Sequence, residues 1–102
     1  MKLRRYGRIP VEYTALFSSA LVRGQGLILD ISMSGCRARS ELTTQKDDWL
    51  GVLIHIPGDE TPLYITQAAI RWANGPEFGM EFVDMELNDR QRLHQLIERN
   101  GR

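Results

Sequence analysis

Five residues near the start of the chain form a basic cluster whose composition favours anion binding. The cluster reads Arg4-Arg5-Tyr6-Gly7-Arg8, so three of its members are arginines and one is an aromatic ring. Arginine carries a planar guanidinium that pairs bidentately with a phosphate or with a guanine edge, and it also stacks on rings. The predominance of arginine over lysine therefore indicates recognition by geometry as well as by charge.

A second segment, Asp30-Ile31-Ser32-Met33-Ser34-Gly35, places an acceptor, a short hydroxyl and a glycine at the end of an extended run. Asp30 and Ser32 are two residues apart, so they share one face if the strand continues. A carboxylate accepts from N–H donors such as those of guanine, a serine hydroxyl donates to a phosphate or base oxygen, and Gly35 permits a turn or the close approach of a ring. The alternative is an ordinary Ser/Gly turn capped by Asp30.

Side chains suited to catalysis or to metal binding are sparse. His55 and His94 are the two histidines, and neither lies at a sequence spacing from a serine or cysteine that indicates a catalytic pair. The single cysteine, Cys36, excludes an internal disulfide and a cysteine-based zinc cluster, and its apolar surroundings predict burial. Asp47-Asp48 is interpreted as a solvated loop or the start of a strand. We therefore expect no enzyme, no catalytic residue, no metal and no cofactor.

The chain is neutral overall, but its charges are distributed unevenly. It carries 13 basic and 13 acidic side chains, and residues 1–40 hold seven of the basic ones but only two of the acidic ones. The remaining residues hold six basic and eleven acidic side chains. The first part of the chain can therefore present a positive face to an anion, unless the fold interleaves the two parts.

Length and hydrophobicity are typical of one globular domain. The chain has 102 residues, of which 42% are hydrophobic and 25% are charged. No apolar run approaches the ~20 residues of a membrane helix, and no apolar segment of a signal peptide follows the basic start. Together with the single cysteine, these observations predict a cytoplasmic protein without a membrane partner.

Alternating hydrophobicity predicts about six strands. In residues 50–56, Leu50, Val52, Ile54 and Ile56 recur at a spacing of two. The other extended runs cover residues 11–17, 26–32, 36–40, 63–72 and 78–82. Asn74-Gly75 is a strong hairpin signal between the last two runs, because both residues tolerate a positive φ.

One helix is predicted at the end of the chain, over about residues 88–100. Asn88 is a suitable N-cap, and Gln91 follows it at the spacing of a capping box. The apolar face consists of Leu93, Leu96 and Ile97. Many short strands with one terminal helix favour a small antiparallel barrel that the helix covers at an end or a side.

The order and spacing of these segments resemble the PilZ domain family. The Arg-xxx-Arg motif of the family matches Arg4 to Arg8, and its Asp-x-Ser-x-x-Gly motif matches Asp30 to Gly35. Ile70-Arg71-Trp72, Phe78-Gly79-Met80-Glu81-Phe82 and the closing helix are also similar to the family, so the resemblance spans essentially the whole chain. It implies an all-β fold with one helix, a six-stranded antiparallel β-barrel at residues 10–102, preceded by a flexible basic arm at residues 1–9.

The resemblance also implies a ligand, the bacterial second messenger cyclic di-GMP. The residues implied to bind this nucleotide are Arg4, Arg5, Arg8, Asp30, Ser32, Gly35 and Arg37. In this interpretation Arg4 and Arg8 grip phosphates and guanine edges, while Asp30 and Ser32 read guanine from the barrel surface. The protein would then be a receptor or adaptor that signals to an unidentified downstream protein when the arm becomes ordered.

Two other functions stay open. One is a protein-interaction module with a PilZ-like fold that binds no nucleotide, although the intact motifs argue against it. The other is a small-barrel nucleic-acid binder, which needs exposed stacking rings, whereas Phe17, Phe78 and Phe82 fit the core pattern. Leu3 stands where many family members have a further arginine, which favours one nucleotide per domain over a stacked pair.

Overall fold

Six stretches with alternating side chains form strands in the computed structural model, which describes residues 7–100. The strands are β1 (Ile9–Ser18), β2 (Arg23–Ile31), β3 (Gly35–Ser40), β4 (Trp49–Ile54), β5 (Leu63–Asn74) and β6 (Glu77–Asp84), and they are followed by α1 (Leu87–Asn100). The strands pair antiparallel in the order β1-β2-β3-β6-β5-β4, and β4 pairs with β1 to close the barrel. The prediction of a six-stranded antiparallel barrel with a C-terminal helix is confirmed.

The inward side of the barrel is filled by the apolar residues that the alternation singled out. Val52 and Ile54 are fully buried, while His55 between Ile54 and Ile56 is exposed. Phe17 and Phe78 meet edge to face at 5.4 Å between ring centroids. Because these two rings lie inside, they are unavailable for stacking on a ligand.

The helix begins one residue earlier than expected, so the prediction of Asn88 as its N-cap is wrong. The carbonyl of Glu86 accepts the first helical hydrogen bond, from Arg90 N at 3.0 Å, which makes Glu86 the flanking residue. Asp89 is drawn inward, because its Oδ1 accepts a hydrogen bond from Tyr64 N of β5 at 3.2 Å. The predicted apolar face is confirmed: Leu93, Leu96 and Ile97 are all buried.

The hairpin between β5 and β6 lies where Asn74-Gly75 predicted it, with its centre one residue further on. Asn74 pairs with Glu77, so Gly75 and Pro76 form the two-residue loop. Gly75 has a φ of 63°, a conformation that glycine adopts without steric strain. This turn places Glu77 at the start of β6, where it faces β3.

The first strand begins one residue before the predicted boundary between the arm and the barrel. β1 starts at Ile9, whose side chain is buried, so Gly7 and Arg8 are the described residues that precede the barrel. Between residues 7 and 100, no helix has the length and apolarity required to cross a bilayer.

Candidate functional site

A bulge in β2 places Asp30 on the outer face of the barrel. The pairing of β2 with β3 shifts by one residue between Ile28 and Asp30, and the pairing of β1 with β2 shifts over the same stretch. Ile28 and Ile31 are both fully buried although they are three residues apart. An uninterrupted strand would direct Asp30 inward together with Ile28, so the extra residue is what turns its carboxylate outward.

The Asp30 carboxylate joins two arginines that come from different parts of the chain. Arg8 Nη1 donates to Oδ1 at 2.9 Å, and Arg37 Nε donates to Oδ2 at 3.0 Å. The main-chain N–H of Arg37 also donates to Oδ1, at 3.2 Å. The Asp30 side chain is only 16% exposed, whereas that of Arg8 is 51% exposed. The carboxylate is therefore held in place, while the Arg8 guanidinium remains accessible from solvent.

A second carboxylate extends this array to the start of β6. Glu77 Oε1 accepts from Arg37 Nη1 at 3.0 Å, and Glu77 Oε2 accepts from Arg39 Nη2 at 2.8 Å. The hydrogen bonds from Arg39 and Arg37 lower the pKa of Glu77, and those to Asp30 and Glu77 raise the pKa of Arg37. Five charged side chains thus alternate in sign, from the residue before β1 across the outer face of β2, β3 and β6; they are Arg8, Asp30, Arg37, Glu77 and Arg39.

Ser32 uses its hydroxyl within the turn that connects β2 to β3. Its Oγ accepts from Ser34 N and from Gly35 N, both at 3.2 Å, and donates to the Gly35 carbonyl at 3.2 Å. Ser32 N also donates to that carbonyl, at 2.8 Å. The Ser/Gly turn considered from the sequence is therefore present, and Asp30 caps the main-chain N–H of Arg37 beside it.

Gly35 is required by the packing of two strands. A methyl group at this position would overlap the carbonyl oxygen of Met80 in the neighbouring strand β6. The absence of a side chain lets β3 and β6 approach, and Gly35 pairs with Glu81. The glycine thus fixes the position at which the turn meets β6. This requirement for glycine could not be predicted from the sequence.

A depression of about 230 Å³ lies next to Arg8 on the same outer face. Its other walls come from β3, β5 and β6, and they include Arg71, Trp72 and Glu81. Trp72 is 41% exposed, and its indole lies against Gly79, where any side chain would collide with the ring. Arg71 forms an ion pair with Glu81. A partly exposed tryptophan and Arg8 therefore line the same depression.

The predicted site residues fall into two groups. The structure brings together Arg8, Asp30 and Arg37, with Ser32 and Gly35 in the adjoining turn. Arg4 and Arg5 lie outside the described residues.

Four residues near the site were not predicted to belong to it. Arg71 and Trp72 were noted in the sequence only for their resemblance to the family, and Glu77 and Arg39 were not predicted as site residues. Their proximity depends on strand pairings that no local pattern displays.

Two further observations concern metal binding and the single cysteine. Between residues 7 and 100, no group of three or more His, Cys, Asp and Glu side chains could hold a metal ion. Cys36 is fully buried, as expected, and burial raises the pKa of its thiol to about 12, with the charge of Asp30 adding to the effect. Its sulfur faces the core and not the array of charges.

Solved structures with the same fold come from several bacterial proteins. The Bacillus subtilis inhibitor of motility MotI/DgrA superposes with a TM-score of 0.76 at 22% identity, over 97% of this chain and 51% of that one. The PilZ domain of CeSA from a cellulose-synthesizing bacterium gives 0.69 at 19% identity, over 89% and 94% of the two chains. Escherichia coli YcgR, solved in complex with c-di-GMP, gives 0.76 at 17% identity, over 94% and 45%.

These likenesses concern the fold, and the chain spans only about half the length of the MotI and YcgR chains. No curated protein matches the sequence. The PilZ domain family matches residues 2–99, which is nearly the whole chain and includes both motifs. This protein is therefore a member of the PilZ domain family.

Proposed function

We propose that this PilZ domain is a cytoplasmic, non-enzymatic receptor that binds cyclic di-GMP on the outer face of β2 and β3. The observation that carries the proposal is the contact between Arg8 and Asp30. These residues are 22 positions apart, and each belongs to one of the two motifs. The family membership and the complex of YcgR with c-di-GMP support the choice of ligand.

The chemistry of the ligand matches the groups at this site. Cyclic di-GMP carries two phosphodiester anions and two guanine bases. The guanidiniums of Arg8 and Arg37 suit the phosphates and the acceptor edge of guanine, since a charge-assisted hydrogen bond contributes about 1.5–3 kcal/mol. The Asp30 carboxylate suits the N–H donors of guanine, and Ser32 Oγ suits a phosphate or base oxygen.

Ligand binding brings new donors to a carboxylate that already accepts three hydrogen bonds. Asp30 Oδ1 accepts from Arg8 Nη1 and from the main-chain N–H of Arg37, and Oδ2 accepts from Arg37 Nε. A carboxylate has about four acceptor sites, so a guanine that donates to both oxygens competes with these arginines. Arg8 is the more exposed of the two arginines and can turn to a phosphate without disturbing a strand. We propose that Arg4 and Arg5 join it, that the arm closes over the ligand, and that a downstream protein recognises the closed arm.

Isothermal titration of cyclic di-GMP into the protein tests this proposal. We expect one nucleotide per domain, and we expect Arg8→Ala and Asp30→Ala each to weaken binding by about 2 kcal/mol, or about 30-fold. Arg23→Ala is the matched control for charge, because Arg23 is exposed at the start of β2 and contributes to neither motif.

Two results would contradict the proposal. One is the absence of binding at tens of micromolar nucleotide by a protein that is folded. The other is an equal affinity of wild type, Arg8→Ala and Asp30→Ala. Binding that the Arg23→Ala control weakens as strongly would point to attraction by net charge instead of to this site.

A further inference from the structure

We infer that Glu77 limits the affinity of the proposed site, because its carboxylate occupies guanidinium groups that an anionic ligand needs. The inference rests on the proposed function and concerns the strength of binding at that same site. Glu77 belongs to neither of the two motifs and reaches the site only through the hairpin that starts β6.

The Glu77 carboxylate bridges two arginines. It lies directly across from Arg39 in the pairing of β3 with β6. Each of its oxygens takes a different guanidinium, Arg37 at 3.0 Å and Arg39 at 2.8 Å. Its side chain is 28% exposed, so solvent and a ligand can both reach the bridge.

Arg37 is the residue for which Glu77 and the ligand compete. Its Nε donates to Asp30 and its Nη1 donates to Glu77, so the two carboxylates engage two of the five N–H donors of the guanidinium in the free protein. A phosphate that approaches Arg37 must either displace the Glu77 carboxylate or lie beside its negative charge. Both alternatives weaken binding, the first by breaking hydrogen bonds and the second by repulsion between like charges.

Asp30 and Glu77 therefore have opposite effects on the affinity for the nucleotide, although both are carboxylates. Asp30 offers an acceptor where the N–H donors of guanine are expected, and it fixes the main-chain N–H of Arg37. The Glu77 carboxylate, by contrast, accepts its hydrogen bonds from the guanidiniums of Arg37 and Arg39. Hydrogen bonds from Arg39 and Arg37 lower the pKa of Glu77, so its carboxylate stays ionised at neutral pH and the competition persists there.

Titration of cyclic di-GMP into Glu77→Gln tests the inference. Glutamine keeps the length of the side chain and removes its charge, so we expect a dissociation constant about three- to tenfold smaller than that of wild type. Glu77→Ala, which removes the same charge, is expected to change the affinity in the same direction. Glu60→Gln is the matched control, because Glu60 is an exposed residue of the loop between β4 and β5. Its affinity should stay within about twofold of wild type.

The outcomes separate this inference from the proposed function. If folded wild-type protein binds no cyclic di-GMP, the proposed function fails. If wild type binds and both Glu77 variants bind equally or more weakly while remaining folded by thermal denaturation, the proposed function stands and the inference is overturned. An equal gain in Glu60→Gln would also overturn it, since the effect would then reflect net charge and not the bridge to Arg37 and Arg39.

Discussion

Two residues of the Asp-x-Ser-x-x-Gly motif form hydrogen bonds within the fold, and the proposed function gives the same two residues contacts with the ligand. Asp30 accepts from the main-chain N–H of Arg37, and Ser32 Oγ accepts from that of Gly35. Removal of either side chain leaves a strand or turn N–H without its partner, which costs about 1–3 kcal/mol when the group is buried. A loss of nucleotide affinity in these variants therefore has to be measured together with the free energy of unfolding.

Gly35 belongs to the same motif, and its contribution to the free energy of unfolding can be measured without a ligand. We predict that Gly35→Ala lowers the free energy of unfolding by about 1–3 kcal/mol, since the added methyl forces β3 away from the Met80 carbonyl. The measurement is urea denaturation followed by circular dichroism.

Gly51→Ala is the matched control for that experiment. Gly51 also lies in a strand, but a methyl group there would meet its nearest neighbours at 3.6 Å, an ordinary contact distance. Its effect should be within about 0.5 kcal/mol. Equal stability of Gly35→Ala and wild type would show that β3 and β6 are not as close as described.

At the scale of strands and helices, the sequence predicted the elements well but not the details that build the site. The alternation of apolar with other residues is visible within a single strand, so the buried face of residues 50–56 can be predicted without knowledge of the partner strand. The bulge beside Ile28 has no such signature, because Leu29 looks like any apolar strand residue, and yet it decides which way Asp30 points. The contact of Arg37 with Glu77 joins residues 40 positions apart and depends on β3 pairing with β6.

One arginine adds polar contacts to the attachment of α1, beside the apolar face of the helix. Arg92 Nη2 donates to the Thr61 carbonyl at 2.6 Å and Nη1 to the Pro62 carbonyl at 3.1 Å, in the loop before β5. The same guanidinium forms ion pairs with Asp59 and Asp89. It thus ties the first half of the helix to the loop between β4 and β5.

We predict that Arg92→Gln weakens this attachment and destabilises the protein by about 1–3 kcal/mol, because a short amide cannot replace four contacts of a guanidinium. Hydrogen exchange should show faster exchange at the amides of Leu93, Leu96 and Ile97 than in wild type. Arg90→Gln makes the same charge change at an exposed position of the helix and should leave their protection unchanged. Unaltered exchange in Arg92→Gln would place the attachment of α1 in its apolar face alone.

At the scale of the whole molecule, the proposed binding face and the core lie on opposite sides of the same wall of the barrel. β3 carries Arg37 and Arg39 on its outer side, while Cys36 and Ala38, which alternate with them, point into the core. A ligand on the outer face can therefore rearrange side chains without opening the interior. Because the arginines and the core residues lie on opposite sides of β3, we predict that the core remains closed whether or not the arginines change their hydrogen-bond partners.

Cys36 provides a direct measurement of that closure. It lies in the wall between its partners Ile31 of β2 and Met80 of β6, it is fully buried, and burial raises the pKa of its thiol to about 12. Since the thiolate is the reactive form, an aromatic disulfide reagent at about pH 8 should modify folded protein only through unfolding. The labelling rate should rise with urea in parallel with the unfolded fraction measured by circular dichroism, and fully unfolded protein should react at the rate of a free cysteine. Rapid labelling of the folded protein without urea would mean that β3 opens locally, and the face that carries Arg37 and Arg39 would then be mobile together with the core behind it.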